Sequence, residues 1–238
     1  MHVNNEFGSI QNLQAIGEAI KSVSSRAKFH VDAVQSFCKL KIDVQKCKID
    51  LLSASAHKIH GPRGVGLAFV RKDLNPEPLI HGGGQEKNLR SGTENLPAIC
   101  GFTVAAKKMW QNIDVSYKSV YSIKEYFIEK LKNVEKALVN SPLEEGFLPH
   151  VLSVSFQGVR GEVLIHALEE KNIYVSTGSA CSSKKLSYSP ILAEIGLEKK
   201  MAEGTVRFSF NETNTKEEVD YVIEALTELL KFLRRLSR

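Results

Sequence analysis

The sequence predicts an α/β first part built on a mostly parallel sheet, followed by an α+β second part, and three patterns carry that prediction. A strand end at MHVNNE, a helical stripe at residues 10–23 and a β-branched run at 29–34 follow one another in the β-α-β rhythm of a parallel sheet. A second apolar run begins at Ile49 and ends in small hydroxyl residues and a Gly/Pro-rich turn, the form of a buried strand. The second half then alternates with period two at 151–156 and closes on a long amphipathic helix. The change falls inside the helical stretch between them, which divides the chain into parts 1–113 and 114–238.

In order, Ile10, Leu13, Ile16, Ile20 and Val23 recur at helical spacing and give one buried face. KFHVDAVQ, residues 28–35, places Asp32 at the end of a strand. In IDLLSASAHKIHGPRGVG, residues 49–66, Lys58 lies just past a strand end, where the loops of an α/β sheet hold their ligands. GVGLAFVRK, 64–72, reads as the next buried strand, ended by Pro76 and Pro78. HGGGQEKNLRSGTEN, 81–95, is a glycine-rich loop. Such a loop is ordinarily a surface connection, although its backbone amides can also cradle a phosphate.

From Asn95 to about Val139 the pattern is helical with a break near 112–114, and Phe127, Ile128, Leu131, Val134 and Leu138 form a core stripe. Residues 141–149 are rich in structure breakers and open the strand 151–156, where one sheet face is expected to be covered and the serine face open. A short helix at 162–171 turns Val163, Leu164, Ala167 and Leu168 inward. A strand follows at 205–210, and Thr215 with Glu218 forms a capping box for the last helix. That helix buries Val219, Val222, Ile223, Leu226, Leu229, Leu230 and Leu233.

The totals exclude several classes. The 238 residues suffice for one large or two modest domains, and their formal charge of +5 is spread among acids, which does not call for nucleic acid. The basic pairs Lys184 and Lys185, Lys199 and Lys200, and Arg234 and Arg235 read as solvated faces, with an acidic protein partner as the functional alternative. No apolar run is long enough for a membrane helix and the first residues lack signal-peptide form, so a cytoplasmic protein is expected. Cys38, Cys47, Cys100 and Cys181 show neither C-x-x-C nor zinc-ligand spacing, so no metal site or disulfide framework is expected.

Each chemically suggestive residue has an ordinary reading as well. Lys58 alone suits a snorkelling surface lysine. Asp32 alone suits a cap, Asn5 a turn and Arg207 a structural ion pair. Together, Asp32 and Lys58 supply the carboxylate and amine that a pyridoxal phosphate (PLP) site needs, an amine for Schiff-base linkage and an acid opposite the pyridine nitrogen. Cys181 stands in STGSACSS, a loop of small polar residues suited to an exposed, mobile nucleophile.

HVDAxQS followed by SxSAHKIxGPxGxG resembles the cofactor segment of the cysteine desulfurases, the NifS/IscS-type members of the aspartate-aminotransferase (fold type I) superfamily. HGGGQE, RSGT and SxGSACxS are similar to further family motifs, the last to that of the group I desulfurases. The resemblance implies an incomplete PLP-binding large domain at 1–113 and a small C-terminal domain at 114–238, covering roughly the later three-fifths of a family member. The phosphate-gripping loop and the ring-stacking histidine would lie earlier, and His60 replaces a common aromatic.

What the resemblance implies for the residues is specific. Lys58 would carry PLP and move the Cα proton, Asp32 would face the ring nitrogen, and Gln35 would bond the phenolate. Ser55 and His57 would hold the phosphate, and Thr93 would reach the phosphate of the other subunit in a homodimer. Asn5 would lie near the phenolic oxygen and the substrate carboxylate, which Arg207 would bind. Cys181 would take sulfur from L-cysteine as a persulfide, leaving L-alanine, for a sulfur-acceptor or iron–sulfur scaffold protein. A selenocysteine lyase or aminotransferase of the same superfamily, or a non-catalytic dimerisation or partner module, are the alternatives.

Overall fold

The structure, a computed structural model, describes residues 1–177 and 190–236. The chain divides into two compact units, Met1–Val3 with Gln11–Ile113, and Asn4–Ile10 with Asp114–Arg238.

In the first unit α1 (Leu13–Val23) begins at Asn12, whose side chain accepts the Ala15 N–H at 3.0 Å, so an otherwise orphaned donor of the first turn is satisfied. Its Leu13, Ile16 and Ile20 pack on one face of a three-stranded sheet, β1 (His30–Asp32), β2 (Leu51–Ser55) and β3 (Gly66–Val70), in that order. Val31, Leu52 and Ala54 fill that face, each of the larger two contributing about 1.5–3 kcal/mol by leaving water. Gly17 is required here, because a Cβ at that position would stand 2.1 Å from the Cys47 carbonyl oxygen.

The expected parallel pairing holds for β1 and β2. β3 runs antiparallel to β2 and is half open rather than buried, since its Gly66 and Ala68 lie at exposed positions. The connection between β2 and β3, residues 56–65, is shorter than the roughly dozen or more residues that the crossover of a parallel return needs. α2 (Leu96–Gln111), capped by Asn95, buries Phe102 and Met109 against Ala56 and Ile59 of the turn after β2.

The second unit carries α3 (Ile113–Leu131), whose first residue belongs to the first unit, and the antiparallel sheet β4 (Ala137–Val139), β5 (Val151–Phe156) and β6 (Thr205–Ser209). α4 (Gly161–Glu169), α5 (Pro190–Glu194) and α6 (Lys199–Ala202) lie between β5 and β6, and α7 (Lys216–Leu236) closes the chain. Phe127, Leu164, Leu226 and Leu230 meet Leu152, Val154 and Phe156 in one core, with the Phe127 and Phe208 ring centroids 4.9 Å apart. The capping box forms as expected, Thr215 Oγ1 accepting from Glu218 N and Glu218 Oε2 from Thr215 N.

Three expectations are corrected here. The helix does not run to 139: it stops at Leu131, Lys136 turns left-handed at φ 54°, and residues 137–139 pair with 154–156, which leaves Leu138 46% exposed. Val163 likewise faces out at 46% exposure, because α4 buries only Gly161, Leu164 and Leu168. The serine face of β5 is buried, not open. It is satisfied from within, Asn140 Nδ2 donating to Ser153 and Ser155 and the Ser155 and Thr205 hydroxyls lying 2.6 Å apart.

Lys124 of α3 is fully buried, its ammonium donating to the Pro142 carbonyl at 3.2 Å. Burial lowers its pKa from 10.5 to about 8. The unfolded chain then holds more protons than the folded one between those values, so stability rises with pH through that window. Lys124→Met is expected to raise the unfolding free energy at pH 7 by about 3 kcal/mol and to remove that rise. Urea unfolding at pH 7 and pH 10 checks both.

No described helix is long and apolar enough to cross a membrane. Among the described residues no group of three or more His, Cys, Asp or Glu could hold a metal ion.

Candidate active site

In the first unit β1 and β2 run side by side in the same direction, with Asp32 opposite Ser53. Their carboxyl ends therefore meet at one sheet edge, and alternation puts Asp32, Ser53 and Ser55 on the face that α1 does not cover. The side chains neighbouring them on that face are small: Ala68 opposite Ser53 and Gly66 opposite Ser55. Asp32 Oδ1 accepts the Val34 N–H at 2.9 Å, which fixes the carboxylate at the strand end, and Ala33 N donates to Ser53 O at 2.8 Å.

After Ser55 the chain makes one 3₁₀ turn, Ala56–Ile59. Ala56 and Ile59 point into the core at 0% and 1% exposure, and the two residues between them, His57 and Lys58, are presented outward, exposed and half-buried respectively. Gly61 N closes the turn onto Ala56 O at 2.9 Å after a left-handed His60. α2 braces it from behind, and Gly101 permits that approach, since a Cβ there would lie 2.8 Å from Pro62. The mount is rigid while its two polar side chains are uncommitted.

That lack of commitment extends further. Among the described residues the side chains of Gln35, Ser55, His57, Lys58 and Thr93 make no hydrogen bond or ion pair within the chain. Asp32, Ser55, His57 and Lys58 gather at the one edge; Gln35 stands three residues past Asp32, half-buried. Thr93 is exposed in the glycine-rich loop, and no hydrogen bond joins it to the others. The loop is nonetheless ordered by its own contacts, Ser91 Oγ donating to Gly83 O at 2.8 Å and Gly92 N to Gln85 Oε1 at 3.2 Å. Glu86, Lys87 and Asn88 are all left-handed there, a strained run for residues other than glycine.

The second unit brings together two predicted residues that are 202 positions apart. Arg207 Nη1 donates to the main-chain carbonyl of Asn5 at 2.9 Å, and among the described residues the Asn5 carboxamide makes no hydrogen bond. β6 holds the arginine in place by exchanging backbone bonds with Ser176, Arg207 N to Ser176 O at 2.7 Å and the reverse at 3.2 Å. Cys181 lies outside the described residues. The other cysteines are ordinary: Cys38 is buried, with its thiol pushed up to about 11 by burial, Cys47 is half-buried and Cys100 is exposed.

Sequence reasoning missed Asn4. Its Oδ1 accepts the N–H groups of Glu6 at 2.8 Å and Phe7 at 3.0 Å, and its carbonyl accepts Gly8 N, so this side chain shapes the turn that offers the Asn5 carbonyl to Arg207. The signal was present in N-N-E-F-G, an Asx residue four before a glycine. Asn4→Ala is expected to cost about 1–2 kcal/mol, and Asn4→Asp, which keeps the acceptor, less than half of that. Thermal melts of the two variants decide it; equal losses would contradict the assigned role.

The family model described as aminotransferase class-V matches residues 1–222. The chain belongs to the class-V aminotransferase family. Among curated relatives, "Cysteine desulfurase IscS" of Vibrio vulnificus is 41% identical over 239 residues, covering 100% of this chain and 58% of the relative. Of solved structures, one described as a NifS-like protein superposes with a TM-score of 0.88 at 38% identity, over 98% of this chain and 60% of its own. Another, described as SspA in complex with cysteine, gives 0.71 at 36% identity over 90% of this chain and 58% of its own. This class-V chain therefore spans 58% of the length of the curated relative it matches and has the fold of NifS-like fold type I proteins.

Proposed function

We propose that this class-V chain serves cysteine desulfuration, the PLP-dependent removal of sulfur from L-cysteine to give L-alanine. The observation that carries the reading is the set gathered at one sheet edge, Asp32 with Ser55, His57 and Lys58, the last three uncommitted among the described residues, on a rigid mount in a chain 41% identical to a cysteine desulfurase. The set fits PLP chemically: an amine, a carboxylate and two donors for an anion, beside a face kept open by Gly66 and Ala68. We assign residues 1–113 to the large domain and 114–238 to the small one.

When bound, PLP supplies an aldehyde carbon for covalent attachment and a protonated ring that withdraws electrons from the substrate Cα. Lys58 gives the amine at Nζ, and the same atom, once free, takes up and returns the Cα proton. The Asp32 carboxylate keeps the ring nitrogen protonated. Gln35 donates to the phenolate oxygen, and Ser55 Oγ and the His57 ring donate to the phosphate. Arg207 and the Asn5 carboxamide receive the substrate carboxylate, for which a guanidinium fork is suited.

Cys181 acts on the sulfur. Its thiolate attacks the substrate sulfur, the Cβ–S bond breaks, and an S–S bond forms as a persulfide on Cys181. The bonding pair stays on carbon, which takes up a proton and becomes the methyl group of alanine. Thr93 serves the phosphate of a second copy, so the working form is a homodimer. The persulfide sulfur passes in the cytoplasm to a sulfur-acceptor or iron–sulfur scaffold protein.

Titrating the chain with PLP is expected to develop a visible absorption band, and L-cysteine then to yield alanine in equal amount to the sulfur transferred. Cys181→Ala keeps the band and loses sulfur release. Full sulfur release from that variant would overturn the role of Cys181, and absence of the band would overturn the PLP site.

A further inference from the structure

The second unit carries a groove of about 970 Å³ that the proposed chemistry does not use. Its walls come from four places: residues 133–136 before β4, the 157–160 turn after β5, the end of α6, and the last turns of α7. Six cations line it, Lys136, Arg160, Lys200, Lys231, Arg234 and Arg235, against two acids, Glu135 and Glu203.

Arg234 is structural. Its Nε donates to Gln157 O and its Nη2 to Glu135 O, each at 2.9 Å, which ties two walls together. The other five cations are exposed, and among the described residues none of them has an ion pair or a side-chain hydrogen bond. Six cations gathered in a concavity against two acids raise the local potential and attract anions. The floor is apolar, made by Val134, Val159 and Leu230, all under 7% exposed. The uncapped first turn of α4 begins on the same wall, at Arg160.

We propose that this groove docks an acidic segment of a partner protein. Its charge calls for a polyanion, and the features of the lining choose among polyanions. Among the described residues no aromatic side chain lines it, so the described lining lacks the stacking platforms on which single-stranded nucleic acid is held. The groove, at about 970 Å³, is also far larger than a single phosphate would fill. An apolar floor beneath a cationic rim instead suits a peptide whose carboxylates alternate with aliphatic side chains. The groove shares no residue with the proposed desulfurase site.

The test is fluorescence anisotropy of the whole chain with a labelled peptide alternating glutamate and leucine. Its glutamine counterpart, a single-stranded RNA and inorganic polyphosphate are run beside it. The acidic peptide is expected to saturate and its glutamine counterpart not to bind. Lys231→Glu with Arg235→Glu weakens the acidic peptide about tenfold, while Lys107→Glu with Lys108→Glu, the same charge change on α2, leaves it unaltered. Lys231→Gln with Arg235→Gln, which only neutralises, gives a smaller loss. Absence of saturable binding, equal losses from the two charge reversals, or tighter binding of RNA or polyphosphate sensitive to Lys231 and Arg235 would each overturn the proposal.

Discussion

Lys58→Ala is expected to abolish the visible PLP band and to lower alanine formation from L-cysteine by roughly a thousandfold or more, since covalent attachment and proton transfer are lost together. The fold should not change. Among the described residues Lys58 makes no hydrogen bond or ion pair, and its turn is held by Ala56, Ile59 and the Gly61 bond to Ala56, none of which the substitution touches. Circular dichroism and the urea midpoint are therefore expected within about 0.5 kcal/mol of the parent. Lys58→Arg separates charge from chemistry: it keeps a cation at the sheet edge but offers no nucleophilic amine, and it should be as inactive as alanine. A band and turnover surviving in Lys58→Ala would remove the lysine from the mechanism. An unfolded Lys58→Ala would show that its role is structural.

The part of this site that is local in sequence was legible, and the part that depends on distant pairing was not. Asp32 at a strand end and His57 and Lys58 just past another follow from apolar runs and breakers, and those positions are found at one edge. The direction of β3 could not be read from GLAFV, because an apolar run has the same pattern in either orientation. Arg207 was read as a strand arginine in need of an ion pair, and one partner it finds is a main-chain carbonyl 202 residues away, a group that has no signature in sequence. The serines of β5 misled for a related reason. Alternation measures polarity, and Ser153 and Ser155 are polar but bonded to Asn140 and Thr205 inside the unit. Residues 134 and 138 fit a helical stripe by spacing alone, while the strand formed at 137–139 depends on pairing with β5.

Asp50 shows the same limit with a larger expected effect. It directly precedes β2 and is fully buried, and three element ends converge on it: Lys21 of α1 at 2.6 Å, the Phe29 N–H that opens β1 at 2.7 Å, and Arg71 just after β3. Burial pushes its carboxyl upward, but the Lys21 ammonium, the Phe29 amide and the Arg71 guanidinium outweigh this and hold it below the ordinary carboxylate value. A folded pKa below the unfolded one means that the contribution is complete above the unfolded value, ~3.9, and is lost as pH falls through the folded one. Asp50→Asn keeps an acceptor for Phe29 and removes only the charge. At neutral pH it is expected to destabilise the first unit by about 3 kcal/mol, toward the low end for breaking a buried pair because Lys21 and Arg71 are 17% and 39% exposed and partly screened. Urea unfolding at pH 7 and again near pH 3 tests this. The gap between parent and variant should narrow in acid. A gap that stays constant or widens would mean that Asp50 works by shape and not by charge.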